Sequence, residues 1–205
     1  MPYFTRTLAS LTAVGIVAAG VSLGAVKFTS TWASPDAATV SFKGQKVAAL
    51  VISDDMSLRM SAEEALAREL TTRGMQGAAA YRIIPLPELK DPEKAKNWLT
   101  RESVAGVVAL RPVSQDKVPR YDSAIWTSPT YSTLWGYYPY SWTTVIVVGS
   151  VPTDTVIVVE SLVYSVGTGK LVWGGVSETT NPKSLQKLVA DLVKEGANKI
   201  QKQFR

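Results

Sequence analysis

Residues 153–182, TDTVIVVESLVYSVGTGKLVWGGVSETTNP, carry the longest strand signal in the chain and leave little choice of fold. From 155 to 166 the run is dominated by Val, Ile, Thr and Tyr, residues that suit a pleated, half-buried surface. Gly167-Thr168-Gly169-Lys170 predicts a turn, because glycine takes positive φ with no Cβ in the way. Residues 171–180 then read as the returning strand of an antiparallel hairpin. In the first strand Ile157, Val159 and Val163 fall on one face, and Val156, Val158, Leu162 and Tyr164 on the other. A strand apolar on both faces belongs inside a sheet covered on both sides. Glu160 interrupts the second face. Asn181 and Pro182 predict the cap and first residue of a helix.

The upstream half alternates strand and helix. Residues 46–52, KVAALVI, predict a buried strand. Leu58, Ala62, Ala65, Leu66 and Leu70 recur at helical spacing and predict a helix over 57–73, stopped by Gly74. A second strand is expected over 77–84, ended by Pro85 and Pro87. A short helix follows from Asp91-Pro92 to 102, then a third strand over 104–110. This β-α-β-α-β order is the pattern of a parallel sheet with right-handed crossovers. One more strand is expected over 143–148, before the hairpin. The closing helix, 182–203, has its apolar stripe at Leu185, Leu188, Val189, Leu192, Val193, Ala197 and Ile200. The expected fold class is α/β: a mixed sheet of about six strands with helices packed on it, in β-α-β-α-β-loop-β-β-β-α order, with residues 46–205 as a single domain.

Ahead of that domain, Arg6 precedes an almost uncharged run over 8–26, rich in Ala, Val, Leu and Gly. This is the layout of a secretory signal, and the run is also near the length that spans a bilayer. Residues 1–26 are therefore expected to be a signal peptide or an N-terminal membrane anchor. Ala25 and Ala33 are the candidate cleavage points. Residues 27–45, with Pro35 and Asp36 among Ser, Thr and Ala, read as a linker whose Trp32 packs on the body. The expected location is exported: periplasmic, or membrane-anchored and facing the periplasm.

Two absences exclude whole classes of chemistry. The chain has no cysteine, so it can form no disulfide, zinc-thiolate site or thiol redox centre. It has no histidine, so the Ser-His and Cys-His arrangements, histidine metal ligation and the usual neutral-pH base are all lost. The net charge of +5 is mild and its signs are interspersed, which argues against a nucleic-acid partner. No cofactor and no metal site is expected.

Residues 114–144 differ from the rest. They hold eight of the fourteen Trp and Tyr residues, and no charge occurs between Asp122 and Asp154. Long connections of this kind are functional or mobile. Tyr131, Trp135, Tyr137, Tyr138, Tyr140 and Trp142 are the candidate binding residues. Such rings give rigid amphipathic contact area that stacks on sugars, sits at a membrane interface or anchors a protein. The same rings could instead cover a bare sheet face. The expected partner is an envelope protein or glycan held through this aromatic loop, with membrane association through the N-terminus.

The catalytic candidates are Asp54, Asp55 and Glu160. A carboxylate-based hydrolase acting on envelope glycans needs two carboxyl groups about 5–10 Å apart. Against this, Asp54 and Asp55 stand where carboxylates cap a helix, and Glu160 could pair with a cation or face solvent. Ser184-Leu-Gln-Lys187 matches a serine acyltransferase motif whose other parts are missing. Gly167-Thr-Gly-Lys170 lacks the first glycine and the final Ser/Thr of a phosphate-binding loop.

Three segments together carry a resemblance: Phe28-Thr-Ser-Thr-Trp32 with Pro35-Asp36; Lys46-Val-Ala-Ala-Leu-Val-Ile-Ser53; and Asp154-Thr155, Glu160, Tyr164, Leu171-Val-Trp173, Gly175 and Ser177-Glu-Thr-Thr-Asn-Pro182. Over most of 27–203 the chain resembles a group of uncharacterised envelope lipoproteins of Gram-negative bacteria. The resemblance implies an envelope location and brings no activity with it. Leu23-Gly-Ala-Val26 departs from it, with Val26 where those proteins carry the lipidated cysteine, so that mode of anchoring is ruled out. The functional expectation is a non-enzymatic periplasmic or envelope-associated accessory or binding protein. The glycan hydrolase and a purely structural envelope protein are the alternatives.

Overall fold

The computed structural model describes residues 24–113, 122–145 and 156–203. Six strands form one mixed sheet: β1 (Val26–Ala33), β2 (Lys46–Val51), β3 (Gln76–Ala79), β4 (Gly106–Val113), β5 (Val156–Ser165) and β6 (Leu171–Thr180), in the order β1-β6-β5-β4-β2-β3. The helices are α1 (Met56–Thr72), α2 (Ala80–Ile83), α3 (Pro92–Arg101), α4 (Ser123–Trp126), α5 (Leu134–Thr143) and α6 (Leu185–Gln203). The expected α/β class and strand number hold. β2 pairs in parallel with both β3 and β4, as the alternating half of the sequence requires, whereas β4-β5 and β5-β6 are antiparallel.

Period-two alternation divides the strands between two cores. Ala48, Leu50, Val107, Ala109, Val158, Leu162 and Tyr164 face α2, α3, α4 and α5. Val47, Ala49, Val51, Leu110 and Val159 face α1 and α6. The hairpin strands are interior, covered on both sides, as their two apolar faces demand.

The departures are local. The expected linker at 27–45 begins as β1, which pairs with β6 through a bulge between Phe28 and Ser30. Phe, Thr and Trp are good strand formers, and without β1 the edge of β6 would be bare. The second strand is only β3; at Ala80 the chain turns into α2. The closing helix starts at Leu185 rather than 182, because Ser184 is the cap: its Oγ accepts from Lys187 N at 3.1 Å. Half of the strand expected over 143–148 lies outside the described residues, and Thr143 itself ends α5.

The aromatic segment departs most. Instead of a long loop it forms α4 and α5. Thr133 caps α5, accepting from Gly136 N at 3.0 Å, and Pro139 lies inside the helix. A proline there removes one helical hydrogen bond, so local preference argues against this helix. Its aromatic side chains settle the matter by packing into the core. Gly136 is required, since a Cβ at this position would lie 2.3 Å from Pro129 O.

Candidate functional site

The six aromatic candidates separate by burial. Tyr131, Tyr137, Tyr138 and Trp142 are buried, Tyr137 and Tyr138 at 1 % exposure. Trp135 and Tyr140 are half-buried at the margin of the same cluster. Burial removes four of the six from any contact surface in this conformation. The expectation of an aromatic contact loop is corrected accordingly: the rings cover the sheet face under α5. They do so in tilted and edge-on pairs, such as Trp126–Tyr131 at 5.7 Å and Trp135–Tyr138 at 5.9 Å, the geometries ring quadrupoles favour.

Beneath these rings lies a buried polar network. Glu160 on β5 stands opposite Arg111 on β4, and Arg111 Nε donates to Glu160 Oε2 at 2.6 Å. Tyr131 Oη donates to Glu160 Oε1 at 2.8 Å, and Tyr137 Oη to Oε2 at 3.0 Å. Arg111 Nη1 also donates to Thr144 Oγ1. The Arg111 guanidinium lies 5.2 Å from the Tyr140 ring centre, within cation–π range. Burial opposes the charge on Arg111 but is outweighed by the Glu160 hydrogen bond and the neighbouring tyrosines, so its pKa rises. The Tyr137 hydroxyl is held neutral, its pKa raised first by burial and then by the Glu160 charge. Glu160 is therefore enclosed and charge-paired, with no exposed surface.

The two aspartates are surface groups. Asp55 caps α1, its carboxylate accepting from Leu58 N at 3.0 Å. Asp54 accepts from Lys90 at 2.7 Å. Both are exposed, whereas Glu160 is sealed beneath α5. The three carboxylates do not converge on a shared cleft, and the hydrolase reading loses its geometric basis. Among the described residues no cluster of acidic groups could hold a metal ion.

One buried carboxylate escaped the sequence reading. Glu63 on α1 is fully buried; its Oε1 accepts from Val51 N at 3.2 Å and its Oε2 from Tyr81 N at 2.8 Å. It thereby ties α1 to the ends of β2 and α2. Arg59, one turn earlier and also buried, lies 3.9 Å away. Burial pushes the Glu63 carboxyl up to about 7, against the opposing pull of the two backbone N–H groups and Arg59. Glu63-Glu64 on a helix reads as solvated surface, so no sequence signal marks it. Arg111 also escaped the sequence reading, lying one residue past the strand expected over 104–110; β4 in fact runs on to Val113 and sets Arg111 opposite Glu160.

The opposite sheet face carries an opening. α1 and α6 touch one another, yet the end of α1 and the second half of α6 stand apart over β4 and β5. The gap is a groove of about 510 Å³, within the range of about 300–1,000 Å³ usual for small-molecule sites. Val108, Leu110, Ser161 and Val163 form its floor, Leu192, Val193, Ala197 and Ile200 one wall, and Phe42, Leu70 and Met75 the other. Val108 and Val163, on interior strands, are only half-buried for this reason. The residues 8–26 run lies almost wholly outside the described residues, and among those described no helix is long and apolar enough to cross a membrane.

No family model and no curated protein matches the chain. Among solved structures it is similar to a dodecamer of PelC from Paraburkholderia phytofirmans, with a TM-score of 0.44 and 16% identity over 87% of this chain and 98% of that one. A single-site variant of the same PelC dodecamer aligns with a TM-score of 0.43 and 15% identity over 86% and 98% of the respective chains. Likeness of this degree carries neither a function nor an assembly over to this chain.

Proposed function

We propose that the protein is a non-enzymatic binding module of the cell envelope, exported by its N-terminal apolar run, that binds through the sheet face carrying α1 and α6. The groove is the observation that supports this reading. In it the interior strands β4 and β5 keep half-buried valines, while the other face of the same strands is closed by interlocked rings. A chain that buries one face so completely and leaves apolar surface in a shaped gap on the other has the asymmetry of a binding domain.

Strand β1 refines the export reading. Val26 already pairs with Thr179, and Gly24 N donates to Thr180 O at 2.7 Å. Cleavage after Ala33 would delete β1 and bare β6, which favours Ala25 over Ala33 as the cleavage point. Fractionation of envelope and cytosol with N-terminal sequencing tests both points. Recovery in the cytosol, or a mature chain starting at Ser34, would refute them. Crosslinking in the native envelope from a photoreactive residue at Ala197 tests the binding face; capture of nothing would count against it.

A further inference from the structure

The lining of the groove is mostly apolar. Its uncharged polar residues are Ser41, Ser161 and Gln201, and none of its eighteen lining residues is Asp or Glu. The two charged residues that line it are Lys43 and Arg73, both exposed. No ion pair engages either of them among the described residues, although seven ion pairs occur elsewhere. An apolar channel with two unneutralised cations at its rim attracts an apolar body ending in negative charge. A second depression of about 720 Å³ shares the Val40, Ser41 and Phe42 wall, but it is lined by loop and helix-end residues such as Gln45, Thr100 and Ser103 and lacks the β4 floor.

We infer that this groove takes a single-chain amphiphile with an anionic head group, its acyl chain along Val108, Val163 and Ile200 and its head between Lys43 and Arg73. The inference rests on reading this face as the binding face. Each methylene transferred from water contributes about 0.8 kcal/mol, so the tail supplies affinity and the cations supply orientation. A fatty acid and a lysophospholipid share the required chemistry.

The test uses the full-length chain and the fluorescent fatty acid cis-parinaric acid. Saturable binding is expected. Ala197→Trp, which fills the groove from an already half-buried helical position, should abolish it. The double change Lys43→Glu with Arg73→Glu should weaken it about tenfold, equivalent to about 1.4 kcal/mol, while leaving binding of the probe's methyl ester unchanged. Competition by oleate and by lysophosphatidylglycerol then separates the two sources, and displacement by either one supports the inference. Absence of binding, or binding that Ala197→Trp leaves intact, overturns it. So does a photoreactive residue at 197 that captures residues 1–23 or a second copy of the chain. If that residue captures an envelope protein and the fatty acid does not bind, the binding-module reading stands and the amphiphile falls.

Discussion

The two faces of the sheet are built from the same strands to opposite ends. Under α5, Glu160, Arg111, Tyr131 and Tyr137 interlock, and every ring that covers them is held by another ring or by a hydrogen bond. Gly174 shows how tight the packing is: a Cβ there would come within 2.8 Å of the Trp126 ring. On the face under α1 and α6 the core is built mainly from aliphatic side chains, and the helices leave a gap. Directional polar groups that must be satisfied allow one arrangement. Apolar contacts specify area rather than geometry, and can leave room for a ligand. The fold thus keeps its specificity on one face and its adaptability on the other.

The largest test of this contrast is Glu160→Ala. It strands the Arg111 charge in the core and should cost about 3–5 kcal/mol, read by urea unfolding. A cost under 1 kcal/mol would show that solvent reaches Arg111. Next is the pH dependence set by Glu63. Its carboxyl binds a proton more tightly folded, at about 7, than at its ordinary value of 4.5. Stability contributed by the protonated group is therefore fully present below about 4.5 and is lost as pH rises through about 7. The decline should reach about 3 kcal/mol, from about 1.36 kcal/mol per unit of pKa. Unfolding free energies from pH 4 to 8 measure it, and a flat profile, or one that Glu63→Gln does not flatten, would refute it. Tyr137→Phe removes one donor to Glu160 and should cost about 1–3 kcal/mol. The smallest effects belong to the other face: Lys43→Glu and Arg73→Glu, at exposed sites, should change stability by less than about 0.5 kcal/mol. A large loss from either would place the rim in the folding core and undo the contrast.

The hairpin, the α1 and α6 stripes and the α/β order were legible because each rests on a local period that burial then enforces. The same local logic failed at β1, at α2 and above all at α5. There Pro139, Gly136 and the serines spoke for a loop, and the packing of Tyr137, Tyr138 and Trp142 against the sheet overrode them. The pairing of Glu160 with a cation was one of the readings its sequence setting allowed, since lone charges in apolar strands need partners. Its choice over a solvent-facing carboxylate depended on β4 and β5 being neighbours in register.

By itself, then, the sequence determined which residues form strands and helices wherever periodicity is strong. It also determined which chemistries are impossible, because no cysteine and no histidine are present. Tertiary structure alone decided that the aromatic rings are interior, that Glu63 is sealed between α1 and the strand ends, and that a groove opens over β4 and β5. The physical reason is common to all three. Burial and cavity shape are set by how far apart elements distant in sequence come to rest, and that spacing has no local period.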